Sequence, residues 1–213
     1  MDKNTLNATD IQQMEKQARI NLMNSLGGFK SICLIGTQDL EGQTNVAIFS
    51  SIIHIGSQPP LFGFISRPAA VERNTLSNIL ETGLYTFNHI NEKIFKQAHQ
   101  TSARYDKNVS EFDATGLTID YKNNFKAPFV AESNIQLALE FKEKIDIQSN
   151  GTVLIIGQVV GIYYPKNCLL SDGFLDIEKA ATITCSGLDS YHTTKRLDRL
   201  SYAKPNKKLT SIV

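Results

Sequence analysis

Hydrophobic and polar positions divide the chain into a helical start, a long series of short apolar runs and a polar end. Thr9 and Asp10 precede Ile11, Met14, Ala18 and Leu22, which recur at helical spacing, and Gln13 follows Asp10 as in a capping box. This predicts one amphipathic helix closing at Gly27-Gly28, its apolar stripe packed on the domain or on a partner subunit. A membrane surface does not suit it, because the opposite face mixes charge sign. From Phe29 onward the pattern becomes β-rich, over 31–36, 44–55 and 61–66, with the polar turn Asp39-Leu40-Glu41-Gly42 and then Gln58-Pro59-Pro60 as separators. Further strands are predicted over 84–89, 135–147 and 152–164, the last two as a long hairpin turning at Ser149-Asn150-Gly151. Connections this short favour antiparallel neighbours. Helical patches fall at 74–81, stopped by Gly83, and at 92–103. Roughly five or six antiparallel strands with a few helices suit a small closed barrel, since closure removes exposed sheet edges.

With 213 residues and 41% hydrophobic content, the chain can bury one substantial core. No linker composition, fixed-period repeat or low-complexity segment interrupts it. Residues 1–213 are therefore read as one domain: an N-terminal helix within 1–25, a core over 26–192, and a polar tail over 203–213 that is mobile or pairs with another subunit. A net charge of +1, from 22 basic and 21 acidic residues, gives no global field to gather nucleic acid or anionic lipid, so any phosphate site must be local. The start carries no signal-like apolar run behind a basic stretch, and no segment approaches about 18 consecutive apolar residues, so the chain reads as soluble and cytoplasmic. Cys33, Cys168 and Cys185 are too scattered for a redox pair or a zinc spacing and read as buried thiols. His54, His89, His99 and His192 form no metal-binding motif, and no metal is assigned. The absence of a Gly-x-Gly-x-x-Gly segment after a strand excludes a Rossmann crevice for a dinucleotide.

Two segments carry unusual chemistry. Thr44-Asn45-Val46-Ala47-Ile48-Phe49-Ser50-Ser51 is rich in small and hydroxylated residues. Alone it reads first as an ordinary strand, but a flat aromatic ring system can lie only against a strand with small side chains, where exposed amides can bond its heteroatoms. The strand ending in Ser66-Arg67, followed by Arg73-Asn74-Thr75 at the opening of a helix, brings cations and hydroxyls to a helix N-terminus, the chemistry a phosphate monoester needs. Alone, Arg73 and Thr75 read as a solvated arginine and a helix cap.

Together and in this order, these segments resemble the flavin reductase-like family of FMN-binding split barrels. The resemblance is carried by Asn45 to Ser50, Pro59-Pro60, Ser66-Arg67, Arg73-Asn74-Thr75, Asn78-Ile79 and Thr82-Gly83. It continues through Phe87-Asn88, Ser110-Glu111-Phe112 with Gly116-Leu117, and Ile156-Gly157-Gln158-Val159, and spans roughly 25–191. Two features depart from the family pattern. Asn74 stands where an aspartate is usual, which removes a negative charge beside a phosphate, and Ser186-Gly187-Leu188-Asp189-Ser190-Tyr191-His192 replaces the commonest ending, which bears on the partner substrate more than on the flavin.

The resemblance implies a mainly β fold with peripheral helices, a six-stranded antiparallel Greek-key split barrel. It implies bound FMN, with NADH or NADPH as a transient donor of hydride to flavin N5 and no side chain acting as acid or base in that step. The implied cofactor-binding set is Asn45, Val46, Ala47, Ile48, Phe49, Ser50, Ser51, Ser66, Arg67, Arg73, Asn74, Thr75 and Asn78, joined by His99, Thr101, Ser102 and Tyr191 from later segments. His192 stands beside them as a partner for a nicotinamide phosphate or flavin O2. Implied partners are a second copy in a homodimer, with flavin sites at or beside the subunit interface, and an electron-accepting oxygenase or other protein. Two other readings stay open: a flavin-dependent oxygenase or oxidase acting on a small substrate, and a non-catalytic flavin-binding protein.

Overall fold

The computed structural model describes residues 3–67, 74–106 and 108–212. In place of one first helix there are two, α1 (Ala8–Gln13) and α2 (Lys16–Ser25). Asn7 is the cap of α1: its Oδ1 accepts from the amides of Thr9 and Asp10, and the Asp10 carboxylate accepts in return from the Asn7 amide. That reciprocal box outcompetes the Asp10/Gln13 pairing. The backbone is extended at Met14, and Glu15 opens α2 by accepting from the Ala18 amide. Neither helix buries a residue within the chain.

The remaining elements in chain order are β1 (Cys33–Gln38), β2 (Thr44–Phe49), β3 (Ile53–Ser57), β4 (Pro60–Ser66), α3 (Asn74–Thr82), β5 (Leu84–His89), α4 (Phe95–Gln100), α5 (Glu111–Thr115), β6 (Ile119–Asp120), β7 (Phe129–Val130), β8 (Gln136–Ile147), β9 (Thr152–Tyr163), a 3-10 turn (Lys166–Cys168), β10 (Thr184–Ser186) and β11 (Ser190–His192). The fold is mainly β. Its main sheet is antiparallel in the order β2-β1-β5-β8-β9-β4-β3, while β6-β7 and β10-β11 form small separate pairs. The β8–β9 hairpin lies where the pattern put it, as do β4 and α3, whose stop is Gly83 at φ +72° with its N–H on Ile79 O.

The sheet has seven strands rather than six because 44–55 is two strands, β2 and β3, on opposite edges. The break is at Ser50–Ser51–Ile52. Ser51 Oγ takes the place of a ladder partner: it accepts from Ile65 N and donates to Ile65 O, both at 3.1 Å, and so fastens the link to β4. Three residues between two edges allow the Cα atoms of Phe49 and Ile53 to be at most about 14 Å apart. The sheet must therefore curl until its edges approach, giving a barrel split along one side.

Both faces of β1 are covered. Cys33 and Ile35 join Phe64, Tyr85, Phe87, Leu139 and Ile155 in one core cluster; Leu34 joins Val46, Ile94, Phe112 and Val130 in the other. This two-sided burial explains why 32–35 is an unbroken apolar run instead of an alternating one. The helix expected over 92–103 is shorter, Phe95–Gln100, for local reasons at each end. Asn91 holds a turn by accepting from the Lys93 amide while donating to Glu132 O, and Thr101 folds back to donate its hydroxyl to Ala98 O. Ahead of the polar tail, Arg199 stacks 4.0 Å over the Phe174 ring while pairing with Asp172, and Leu200 bridges to Ser211 within it. Among the described residues, no helix is long and apolar enough to cross a membrane.

Candidate functional site

The split opens into a cleft of about 1050 Å³. One wall is β2 and the link after it, contributing Asn45, Ala47, Ile48, Phe49, Ser50 and Ser51. Ser66 and Arg67 at the end of β4, Asn74 and Thr75 in the first turn of α3, and His99, Thr101 and Ser102 at the end of α4 supply the rest of the expected set found there. Segments separated by dozens of residues thus meet around one space.

Among the described residues of that set, Val46, Asn78 and Tyr191 fall elsewhere. The Val46 side chain is fully buried in the core, because alternation along β2 turns it away from the cleft; only its amide takes part, donating to Glu111 Oε2 at 3.2 Å. Asn78, one turn into α3, is buried behind the wall and lines a small cavity of about 80 Å³ with Asp39 and Glu81. Tyr191 stands behind His99, its hydroxyl 2.8 Å from His99 Nδ1 and its ring against Phe95. Burial pushes the Tyr191 phenol up to about 12, with Cys185 and Asp189 nearby adding to the shift. The phenol keeps its proton and shares a hydrogen bond with Nδ1 of His99. Arg73 lies outside the described residues. His192 is engaged away from the cleft, with Nε2 at 2.9 Å from Ser186 Oγ and 3.1 Å from Ser190 Oγ.

The walls are tied together by a buried polar ladder. With its amide turned so that each atom meets a complementary partner, Asn45 donates from Nδ2 to Glu111 Oε2 at 3.2 Å and accepts at Oδ1 from Thr75 Oγ1 at 2.9 Å and Thr37 Oγ1 at 3.3 Å. Asn78 Nδ2 completes it by donating to Thr37 Oγ1 at 3.1 Å. The hydroxyl of Thr75 is therefore spent on holding α3 against β2, which leaves the backbone of that first helical turn to face the cleft.

Since β2 is an edge strand, its outer backbone groups are unpaired by any strand. Val46 N–H points outward to Glu111, and the alternation of an antiparallel ladder turns the N–H and C=O of Ile48 the same way. The cleft is thus offered an adjacent donor and acceptor from one residue, beside the small side chains Ala47, Ser50 and Ser51.

Sequence reasoning gave no role to Lys30, Arg104, Glu111 or Asp189, all of which line the cleft. Lys30 Nζ donates to Gly187 O and so pins the loop that carries Asp189. Glu111 opens α5, whose Phe112 is fully buried in the core. Burial raises the Glu111 carboxyl above the usual carboxylate range, partly offset by donors including the Val46 amide. The signal in the sequence for Glu111 was its place in Ser110-Glu111-Phe112, one of the segments that carry the family resemblance, with no role attached to the carboxylate.

Residues 28–177 match the sequence profile described as flavin reductase like domain. A protein of Shewanella frigidimarina NCIMB 400, provisionally assigned as a flavin reductase with a split barrel domain, is 48% identical and superposes with a TM-score of 0.91 over 94% of this chain and 100% of its own. Nitrilotriacetate monooxygenase component B of Bacillus cereus gives a TM-score of 0.81 at 20% identity, over 94% and 100% of the two chains. The 2-nitrobenzoate 2-nitroreductase of Pseudomonas fluorescens gives 0.80 at 19% identity, over 96% and 99%.

Proposed function

The chain belongs to the flavin reductase-like family, and from that footing we propose that it holds FMN in the cleft and uses it to pass two electrons from NADH or NADPH to a further acceptor. The observation that carries this reading is the pairing, within one cleft, of a small-residue edge strand with a cation at the end of β4 and the first turn of a nine-residue helix. The residues fit the group. Ile48 offers N–H and C=O to the imide edge of the ring, Ala47, Ser50 and Ser51 let the ring lie flat, and Arg67 with the α3 N-terminus receives the phosphate. Arg73, next to that helix, adds a second cation in this reading.

When bound, FMN supplies hydride acceptance at N5 and onward electron delivery. The chain's own residues bind, orient and shield. Asn45, Thr75 and Asn78 hold the phosphate end against the ring end, and Tyr191 steadies the His99 ring at the cleft wall through Nδ1. No residue is asked to move a proton in the hydride step. The acceptor is a small molecule or an oxygenase partner protein, and the whole chain acts as one domain. A cytoplasmic setting goes with it, since Cys33, Cys168 and Cys185 are all free and buried.

The test is the visible spectrum of the purified protein, reconstituted with FMN under anaerobic conditions, before and after NADH or NADPH. Bleaching by at least one donor is expected, and a flavin that neither donor bleaches would overturn the electron-transfer reading. FMN should also bind more tightly than FAD, whose adenylate must leave the phosphate end. Calorimetry showing FAD tighter by tenfold, about 1.4 kcal/mol, would contradict the placement of Arg67 and α3.

The same reading includes a C2 homodimer with the cleft at or beside the interface. Its support is the apolar surface left outside: α1 and α2 bury nothing, and Leu26 and Phe29, which follow them, are 69% and 71% exposed. Equilibrium sedimentation should report about twice 23.7 kDa at micromolar concentration. A monomer that turns over at full rate would refute the arrangement.

A further inference from the structure

Four residues of the cleft define an axis. Ile48 presents its backbone pair at the ring end, Asn74 and Thr75 open α3 at the phosphate end, and Glu111 stands between them, joined to the outer edge of β2 by the Val46 amide and to α3 through Asn45. Along a strand, Val46 and Ile48 are separated by about 7 Å, so Glu111 lies one pairing step from the ring end. What spans that interval in a flavin is neither the ring nor the phosphate but the polyol chain that joins them.

We propose that Glu111 recognises the ribityl chain of the flavin, its carboxylate accepting hydrogen bonds from the chain's hydroxyls. This rests on the placement of FMN argued above and adds to it a residue that selects for the linker. A carboxylate has about four acceptor sites. Val46 N and Asn45 Nδ2 both approach Oε2, which leaves capacity on the cleft side, and they orient the group before any ligand arrives. The carboxyl is half-buried, so a hydroxyl that reaches it competes with little solvent. The position also explains why an acidic residue is tolerated in a cleft built for a phosphate: it is held at the middle of the site, while Arg67 and the α3 N-terminus occupy the anion end.

The experiment compares riboflavin with lumiflavin, which has the same ring and a methyl group in place of the polyol, by quenching of flavin fluorescence on the full-length protein. Glu111→Ala should weaken riboflavin binding about tenfold or more, the range of a hydrogen bond to a charged group, while changing lumiflavin binding less than about twofold. Glu111→Gln keeps the shape and one acceptor oxygen, and should fall between wild type and alanine for riboflavin; it also carries the test if the alanine variant does not fold. Equal losses for both flavins would show that Glu111 only shapes the edge of β2, and no loss for either would remove it from the site; both results overturn the proposal. If wild-type protein binds neither riboflavin, lumiflavin nor FMN, the flavin reading itself falls and this inference with it. Wild-type binding with no ribityl selectivity defeats the inference alone.

Discussion

Alanine at position 157 is expected to destabilise the protein by about 3 kcal/mol, the upper part of the range for overpacking a filled core. Gly157 lies in β9, opposite Phe62 on β4 and Phe141 on β8. A Cβ there would meet Tyr85 Oη at 2.1 Å, Tyr85 Cζ at 2.7 Å and Glu140 O at 3.0 Å. Neither neighbour can yield cheaply. Glu140 O is backbone, and the Tyr85 ring is fully buried between Phe64 and Phe87, with ring centroids 6.0 and 5.5 Å away. The Tyr85 hydroxyl thus fills the place of a β-carbon, and among the described residues it has no hydrogen-bond partner. Removing it should therefore cost nothing: Tyr85→Phe is expected to be neutral or to stabilise by up to about 1 kcal/mol. In the double variant part of the alanine penalty should disappear, because the nearest clash has gone. Urea unfolding of the four proteins measures this coupling directly. A Gly157→Ala protein as stable as wild type would mean that the Tyr85 ring is free to move.

Arg73→Ala is expected to weaken FMN binding ten- to a hundredfold without lowering the unfolding midpoint. The argument is electrostatic. The cation immediately precedes the first residue of α3, where free amides and the helix dipole already favour an anion, and a charge-assisted phosphate contact contributes roughly 1.5–3 kcal/mol. Riboflavin lacks the phosphate and serves as the control: its affinity should hardly change in the variant. Raising salt should reduce the difference between the two ligands in wild type and have less effect in Arg73→Ala. Titration of both proteins with FMN and riboflavin decides the matter. Unchanged FMN affinity would make Arg73 a surface charge, and equal losses for both ligands would assign it to the ring or the polyol.

Much of the fold could be read from local pattern where local chemistry settles it. Asn150-Gly151 turns the β8–β9 hairpin, with Gly151 at φ +70°, and Gly83 ends α3, both positions where a side chain would be strained. The split of 44–55 could not be read this way. β-forming residues run through the whole segment, and what breaks it is a change of partner from β1 to β4, which depends on Ser51 reaching Ile65. The cleft shows the same division. Asn45, Ala47, Ser50 and Ser51 stand in one segment whose small side chains are visible in sequence, and period-two alternation would have placed Val46 in the core had the buried face been known. Glu111 is 65 positions from Val46, and nothing in the local pattern joins them. Lys30 and Gly187, 157 positions apart, are joined only by the finished fold.

The link at Ser50–Ser51–Ile52 has a further consequence for how the molecule comes apart. One wall of the cleft is β2 and another is the end of β4, and these are joined in two ways: by the three-residue link and β3, which pairs with β4, and by the path through β1, β5, β8 and β9. Together the two routes form a loop of mixed covalent and hydrogen-bonded connections. Detaching any one of those four strands opens the loop and leaves the walls tethered only through the link and β3, a connection that no longer fixes how they face each other. Partial opening of the sheet is thus equivalent to loss of the cleft, so a ligand seated there acts against every subglobal opening that passes through the barrel as well as against complete unfolding.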